Sequence, residues 1–415
     1  MTSQRYTLIK NARLIDGEGS GIKNCSILIR NADSERDSEI LEIGEVKADG
    51  EISRSLTVYN ARSHYVCHGF TDLSTHACEP GNMHKETLKS ASEAAKKGGF
   101  TAFLTANDTN PAPNDPLVIK YIVSNSAVAR CRVYASGSLF LPGEKGISPI
   151  DEIMSEGAKA LRCSGDFDDD MLFGAMKICR DKGYPLIVKC SQTERNISRW
   201  EDANRYQDIA TARLLLLAEE AECPVHISCV STARAVELIR MAKAHGLPVT
   251  CDTCPQYFIF SAADIPLYGN DLLLMPPLGS SADVEGVRQG IADKTIDCIS
   301  SDHTPCSPEE KRCSADAAAR GMISLQTVFS TSYSHLVGGG IISIRRLVQM
   351  LSENPARVLG LSGKVKVGQT ADLTVFSTLA EGKLTKEQNM SKSENSPFFG
   401  QFLQGQIIQT FVNGR

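Results

Sequence analysis

Residues 72–81 read Asp72-Leu73-Ser74-Thr75-His76-Ala77-Cys78-Glu79-Pro80-Gly81, after a largely apolar run, Tyr65-Val66-Cys67-His68-Gly69-Phe70. The run has the texture of a strand, so the ten residues fall where a strand ends. Alternate residues of a strand point the same way. A strand ending in His-x-His therefore aims two imidazoles at one metal ion. Here Ser74 holds the first of those positions and His76 the second.

Downstream of this stretch, strand and helix patterns alternate. Candidate strands are Gly69–Leu73, Thr101–Thr105, Arg132–Ser136, Ala158–Arg162, Pro185–Lys189, Pro224–Ser228, Pro248–Asp252 and Thr295–Ser300. Helix patterns lie between most of them, at Lys85–Lys97, Asp168–Lys182, Tyr206–Ala221 and Thr232–Ala244. This series fits an α/β fold built on a (β/α)8 TIM-type barrel, which needs about 250 residues. A doubly wound open sheet is the alternative. No G-x-G-x-x-G follows the first strand, so a dinucleotide fold has little support.

Both ends of the chain are β-rich. Tyr6–Ile9, Ser26–Ile29 and Ile40–Ile43 read as strands, punctuated by Asp16-Gly17 and Ala48-Asp49-Gly50; Asp372–Phe376 and Ile407–Val412 return to that texture. The two termini are expected to build one small β-sandwich domain, 1–66 with 365–415, around a barrel at 67–364. The polar segment Lys383–Pro397 reads as a loop.

The chain has 415 residues, 42% of them hydrophobic, and a formal net charge of −5. It is long enough for a large core and more than one domain. Neither a basic stripe nor an apolar run of about 20 residues is present, so nucleic-acid and membrane binding are not expected. The first ten residues carry no apolar signal-peptide core, and a cytoplasmic location is expected. Fourteen cysteines then read as reduced, mostly buried thiols. The single C-x-x-C, Cys251 and Cys254, has no second pair at zinc-knuckle spacing.

In a barrel, function gathers at the C-terminal strand ends. In order, those ends offer Ser74, His76 and Cys78; Asn107–Pro111; Arg162 and Cys163; Lys189 and Cys190; His226–Cys229; and Ser301–Cys306. Thr109-Asn110-Pro111, Val225-His226-Ile227 before Ser231-Thr232-Ala233, and Pro276-Pro277-Leu278 accompany them. So do Asp302-His303-x-Pro305-x-Ser307-Pro308, Asn354-Pro355-Ala356 and Val367-Gly368-x-x-Ala371-Asp372-Leu373. Together, over nearly the whole chain, these motifs resemble the dihydroorotases of the amidohydrolase superfamily.

The resemblance implies a barrel with a terminal β-sandwich, and one or two zinc ions whose bound water attacks a cyclic amide. Carried over residue by residue, it implies that most ligand positions are altered. The first strand-1 histidine is Ser74, the strand-4 bridging position is Arg162 or Cys163, the strand-5 histidine is Lys189 and the strand-6 histidine is Cys229. His76 survives, as does Asp302, the general-base position. Positions implied for the substrate carry Cys78, Asp108, Met275 and Cys306.

The expectation is a dihydroorotase homologue without dihydroorotase activity, a pseudoenzyme with no metal or other cofactor. A homodimer is implied by resemblance, as is a structural role beside aspartate carbamoyltransferase in pyrimidine biosynthesis. The alternative is an active cyclic-amide hydrolase with a changed substrate and a zinc site rebuilt from Cys229, His76 and Asp302. A catalytic cysteine activated by Lys189 or Arg162 is a further rival. Without zinc, Asp302 would be a buried charge lacking its counter-ion, so Lys189 or Arg162 is expected to pair with it. His226 is expected to be a satisfied structural histidine, and His64 and His68 peripheral.

Overall fold

The computed structural model describes residues 5–15, 21–33, 36–46, 51–141, 146–165, 167–191 and 200–415, excepting the side chains of 51 and 200–203. The turns read at Asp16-Gly17 and Ala48-Asp49-Gly50 lie outside the described residues. The N-terminal part supplies β1 (Tyr6–Leu14), β2 (Lys23–Arg30), β3 (Glu39–Gly44), β4 (Leu56–Asn60) and β5 (Tyr65–His68). Eight parallel strands follow: β6 (Phe70–Thr75), β7 (Phe100–Thr105), β8 (Arg132–Ser138), β9 (Ala158–Ser164), β10 (Leu186–Lys189), β11 (Val225–Ser228), β12 (Val249–Thr253) and β13 (Cys298–Ile299). The chain ends with β14 (Leu373–Gly382) and β15 (Leu403–Phe411).

Strands β6 to β13 are hydrogen-bonded in sequence order, the pattern of a (β/α)8 barrel. The seam between the last and the first closes just past β13: Thr75 bridges His303, His76 N donates to His303 O at 2.9 Å, and His303 N donates to Ser74 O at 3.1 Å. Asp72 reinforces the seam by accepting from Ser301 N at 2.6 Å and Ser301 Oγ at 2.8 Å. Inward residues Leu73, Leu104, Ala160, Ile187 and Cys298 fill the barrel as one apolar cluster. Outward neighbours such as Phe103, Leu161, Val188 and Ile227 belong to the larger core under the helices.

The helices begin and end as their sequences dictate. Thr87 caps Leu88–Lys97 through Ser90 N, and Asp168 caps Asp169–Lys182 through Met171 N. A side-chain oxygen at the N-cap satisfies an amide that the helix leaves unpaired. Gly183 ends the second of these helices at φ 68°, a left-handed conformation that glycine adopts without steric cost.

The remaining strands form one seven-stranded mixed sheet with both termini in it, in the order β15-β14-β5-β1-β2-β3, with β4 also on β1. The run Tyr65–His68 belongs here, since His68 pairs with Leu373 and Tyr65 with Phe376. It precedes the first barrel strand, which starts at Phe70. Ile9, Ile27, Ile29, Val66, Leu373 and Val375 build the sheet's own core. Cys67 and Phe376 join the barrel core instead, and Phe376 packs on Phe329 at a centroid distance of 4.8 Å.

The segment read as a polar loop is a strap. Apart from a short turn at Lys386–Gln388 it has little regular structure, yet Ser391, Ser393, Asn395 and Ser396 are buried. Ser391 Oγ donates to the Glu86 carboxylate, and Ser393 Oγ to Lys85 O. Asn395 Nδ2 reaches Thr304 O and Gly321 O, each at 3.0 Å. Small polar residues suit both a solvated loop and a hydrogen-bonded strap, so composition alone does not separate them.

Candidate functional site

Asp302 sits just beyond β13 with φ 48°, a conformation rarely held by a non-glycine residue. Cys78 after β6 (φ 57°) and Cys229 after β11 (φ 59°) share it. Backbone strain of this kind gathers where a fold must aim particular side chains.

Lys189, the last residue of β10, places Nζ 2.7 Å from Asp302 Oδ1, and both residues are buried. This is one of the two expected counter-ions. Ser74 Oγ donates to the same oxygen at 3.3 Å, and His76 Nε2 lies 3.9 Å from it. His76 Nδ1 is 2.7 Å from Asp108 Oδ2. Lys189, Asp302, His76 and Asp108 therefore form an alternating chain of charges. Burial opposes ionisation throughout, but the pairs prevail. Asp302 falls well below the usual carboxylate range under Lys189 and His76, Lys189 rises, and Asp108 and Asp302 raise His76 to about 9.

Arg162 behaves differently from Lys189. It points into the barrel, as Ala160 does, and is 2% exposed. One guanidinium nitrogen donates to Leu73 O, and among the described residues no carboxylate pairs with it. Alternation also resolves the choice at strand 4: Arg162 faces inward, whereas Cys163 packs with Leu161 in the core under the helices. Cys190 faces the same core.

The rebuilt site expected from Cys229, His76 and Asp302 does not assemble. The left-handed turn at Cys229 instead directs its Sγ to Cys254 Sγ at 3.8 Å, near Asp252. Nor do the strand-end thiols look activated. Burial pushes Cys190 up to about 12 and Cys306 to about 11, and burial with Asp108 raises Cys78. Cysteines 251 and 254 do not act as a pair, because Cys251 Sγ donates to Thr295 O.

Of the four substrate positions, Asp108 joins the charge chain through His76 and lies near Cys78. Cys78 is buried against its own turn, its Sγ 3.7 Å from His76 O. Cys306 lines a cavity of about 330 Å³ with Asn270, Lys311 and Asn395, but Asp302, Lys189 and His76 do not. Met275 is half-buried beside Pro276, whose carbonyl accepts from Tyr257 Oη at 2.8 Å. His226 is satisfied by Asp252 at 2.9 Å and Thr250 at 2.8 Å.

Sequence reasoning missed three buried carboxylates. Asp72 holds the seam. Asp252 gathers His226, Ser228 and Cys229 N. Glu86 lies 3.2 Å from His303 Nε2 and anchors the strap. The Asp72-x-Ser74-Thr75 spacing was the available signal for the first, because an aspartate commonly caps the backbone two residues on.

The resemblance implies zinc, and the donor set at the implied positions does not fit it. Zinc needs lone pairs from imidazole, thiolate or carboxylate. An ammonium bonded to Asp302 and an inward guanidinium offer none. His76, Asp302 and Cys229 are the donors left; the first two are each paired with a group of opposite charge, and Cys229 is turned to Cys254.

The comparisons with known proteins agree with this architecture. The Amidohydrolase family profile matches residues 65–415. A dihydroorotase of Caldicellulosiruptor saccharolyticus is 32% identical, covering 98% of this chain and 97% of that protein. A dihydroorotase of Acetivibrio thermocellus is likewise 32% identical with the same coverage. Among solved structures, an L-hydantoinase (dihydropyrimidinase) from Arthrobacter aurescens superposes with a TM-score of 0.88 at 23% identity, covering 99% of this chain and 95% of that one. With the profile match over residues 65–415 and relatives 32% identical along almost the whole chain, this chain belongs to the amidohydrolase family. Within it, this is a dihydroorotase-like member. Among the described residues, no helix is long and apolar enough to cross a membrane.

Proposed function

We propose that this chain is a dihydroorotase homologue that has lost dihydroorotase activity and serves an assembly role, with aspartate carbamoyltransferase as its partner in pyrimidine biosynthesis and a second copy of itself as the other contact. The observation that carries the reading is the Lys189–Asp302 ion pair. It replaces the charge balance a metal would supply, and it ties up the carboxylate that the family uses as base. Asp108, facing His76, also sets a negative charge where a substrate carboxylate would be gripped. The alternative, an active hydrolase using Cys229, His76 and Asp302, lacks support because Cys229 gathers with other residues.

The test is ring opening and closure of dihydroorotate by the zinc-supplemented chain, with an active dihydroorotase as control. Sedimentation of the chain alone and mixed with aspartate carbamoyltransferase from the same source completes it. The expected outcome is no turnover above background, a dimer alone, and a joint boundary in the mixture. Zinc-dependent turnover abolished by Asp302→Asn, or separate boundaries, overturns the reading.

A further inference from the structure

Cys229, Cys254 and Asp252 lie outside the charge chain around Asp302, and each is fully buried. We propose that these three residues form a zinc site of their own, built from the ends of β11 and β12. One ligand atom from each lies within 4.8 Å of the others. The two sulfurs are 3.8 Å apart. Two thiolates on a tetrahedral zinc, at about 2.3 Å each, are separated by about 3.8 Å. The pair is thus spaced as an edge of the coordination tetrahedron.

The third ligand is held as zinc-site carboxylates are held. Asp252 accepts from Cys229 N at 2.8 Å, Ser228 Oγ at 3.2 Å and His226 Nε2 at 2.9 Å. His226 is fixed in turn by Thr250. A carboxylate has about four acceptor sites, so three donors leave one for a metal. Hydrogen-bonded support of this kind fixes ligand direction. The left-handed φ of Cys229 serves two of these contacts, turning its N–H to Asp252 and its thiol to Cys254.

Charge does not oppose the metal. Arg162 is buried with no carboxylate at ion-pair distance among the described residues, and Cys229, Asp252, Asp302 and Asp72 lie near enough to act on its charge. An unpaired buried cation is costly. Two thiolates and one carboxylate on Zn²⁺ carry a net charge of −1, which complements the guanidinium. Binding releases both thiol protons to solvent, so the metal adds no net charge to the interior. Three protein donors leave the fourth position for a water-sized ligand.

The test uses the full chain, purified under reductant and titrated with Co²⁺, with zinc-loaded protein for X-ray absorption. The expected result is about one cobalt per chain with a thiolate-to-cobalt charge-transfer band, and two sulfur scatterers at about 2.3 Å from zinc. The band disappears in the Cys229→Ser/Cys254→Ser double variant and survives in His76→Ala and Cys306→Ser. His226→Ala weakens affinity by about 10–100-fold. Absorption data on the unmodified chain keep the proposal testable if a variant misfolds. No stoichiometric cobalt, no sulfur scatterers, a band that persists in the double variant, or a Cys229–Cys254 disulfide in the native protein overturns it.

Discussion

Asp72 and Asp302 are both buried carboxylates at the barrel seam, joined through Ser74, whose N–H faces one and whose hydroxyl faces the other. They are stabilised in opposite ways. Asp72 is surrounded by neutral donors: Ser301 N and Oγ, Thr75 Oγ1 and Ser74 N. Burial pushes its carboxyl up, and these bonds only partly offset the shift. Asp302 is buried too, yet Lys189 and His76 hold it well below the usual range. A carboxylate that closes a fold can be satisfied by backbone and hydroxyl groups. Asp302 is met by cations instead, Lys189 at 2.7 Å and His76 at 3.9 Å.

Breaking the cationic side should have the larger effect. Lys189→Met leaves Asp302 buried beside one weaker partner, and stability should fall by about 3–5 kcal/mol in urea unfolding. Adding Asp302→Asn should recover most of that loss. Equal stability of the single and double variants would refute the ion-pair account.

On the neutral side, Asp72→Asn turns one acceptor into a donor facing Ser301 and Thr75. The expected loss is about 1–3 kcal/mol, read from the same unfolding curves. A loss as large as that of Lys189→Met would erase the distinction between the two carboxylates.

The smallest effect is a titration. His76 should show a midpoint near 9 by side-chain NMR, moving down toward its ordinary value of about 6.5 in Asp108→Asn. Because the folded value is raised, the stabilisation is fully present below about pH 6.5 and is lost as pH rises past 9. A midpoint at or below the ordinary value would mean that the chain of charges is not formed.

Much of this was legible in the residues. The eight barrel strands were read close to their observed positions, because each is a short apolar run and helix patterns lie between most of them. Both termini were read as partners in one β unit. The placement of Tyr65–His68 was less legible, since an apolar run does not declare which sheet it joins. A cation beside Asp302, from Lys189 or Arg162, followed from charge balance, and Lys189 supplies it. The Cys229 cluster did not, because the residue was read toward His76 and Asp302, and its left-handed φ of 59° goes with a thiol turned to Cys254.

The sequence by itself determined the fold class, the residue types offered at the strand ends, and the expectation of a cation beside Asp302. These depend on periodicity, motif spacing and charge, which are properties of the chain. Tertiary structure decided that Lys189 rather than Arg162 takes that role, that Arg162 rather than Cys163 faces inward, and that Cys229 joins Asp252 and Cys254. Each of those outcomes rests on a side-chain direction or a single backbone dihedral. Such angles differ locally by little energy, and only packing from distant parts of the chain selects among them.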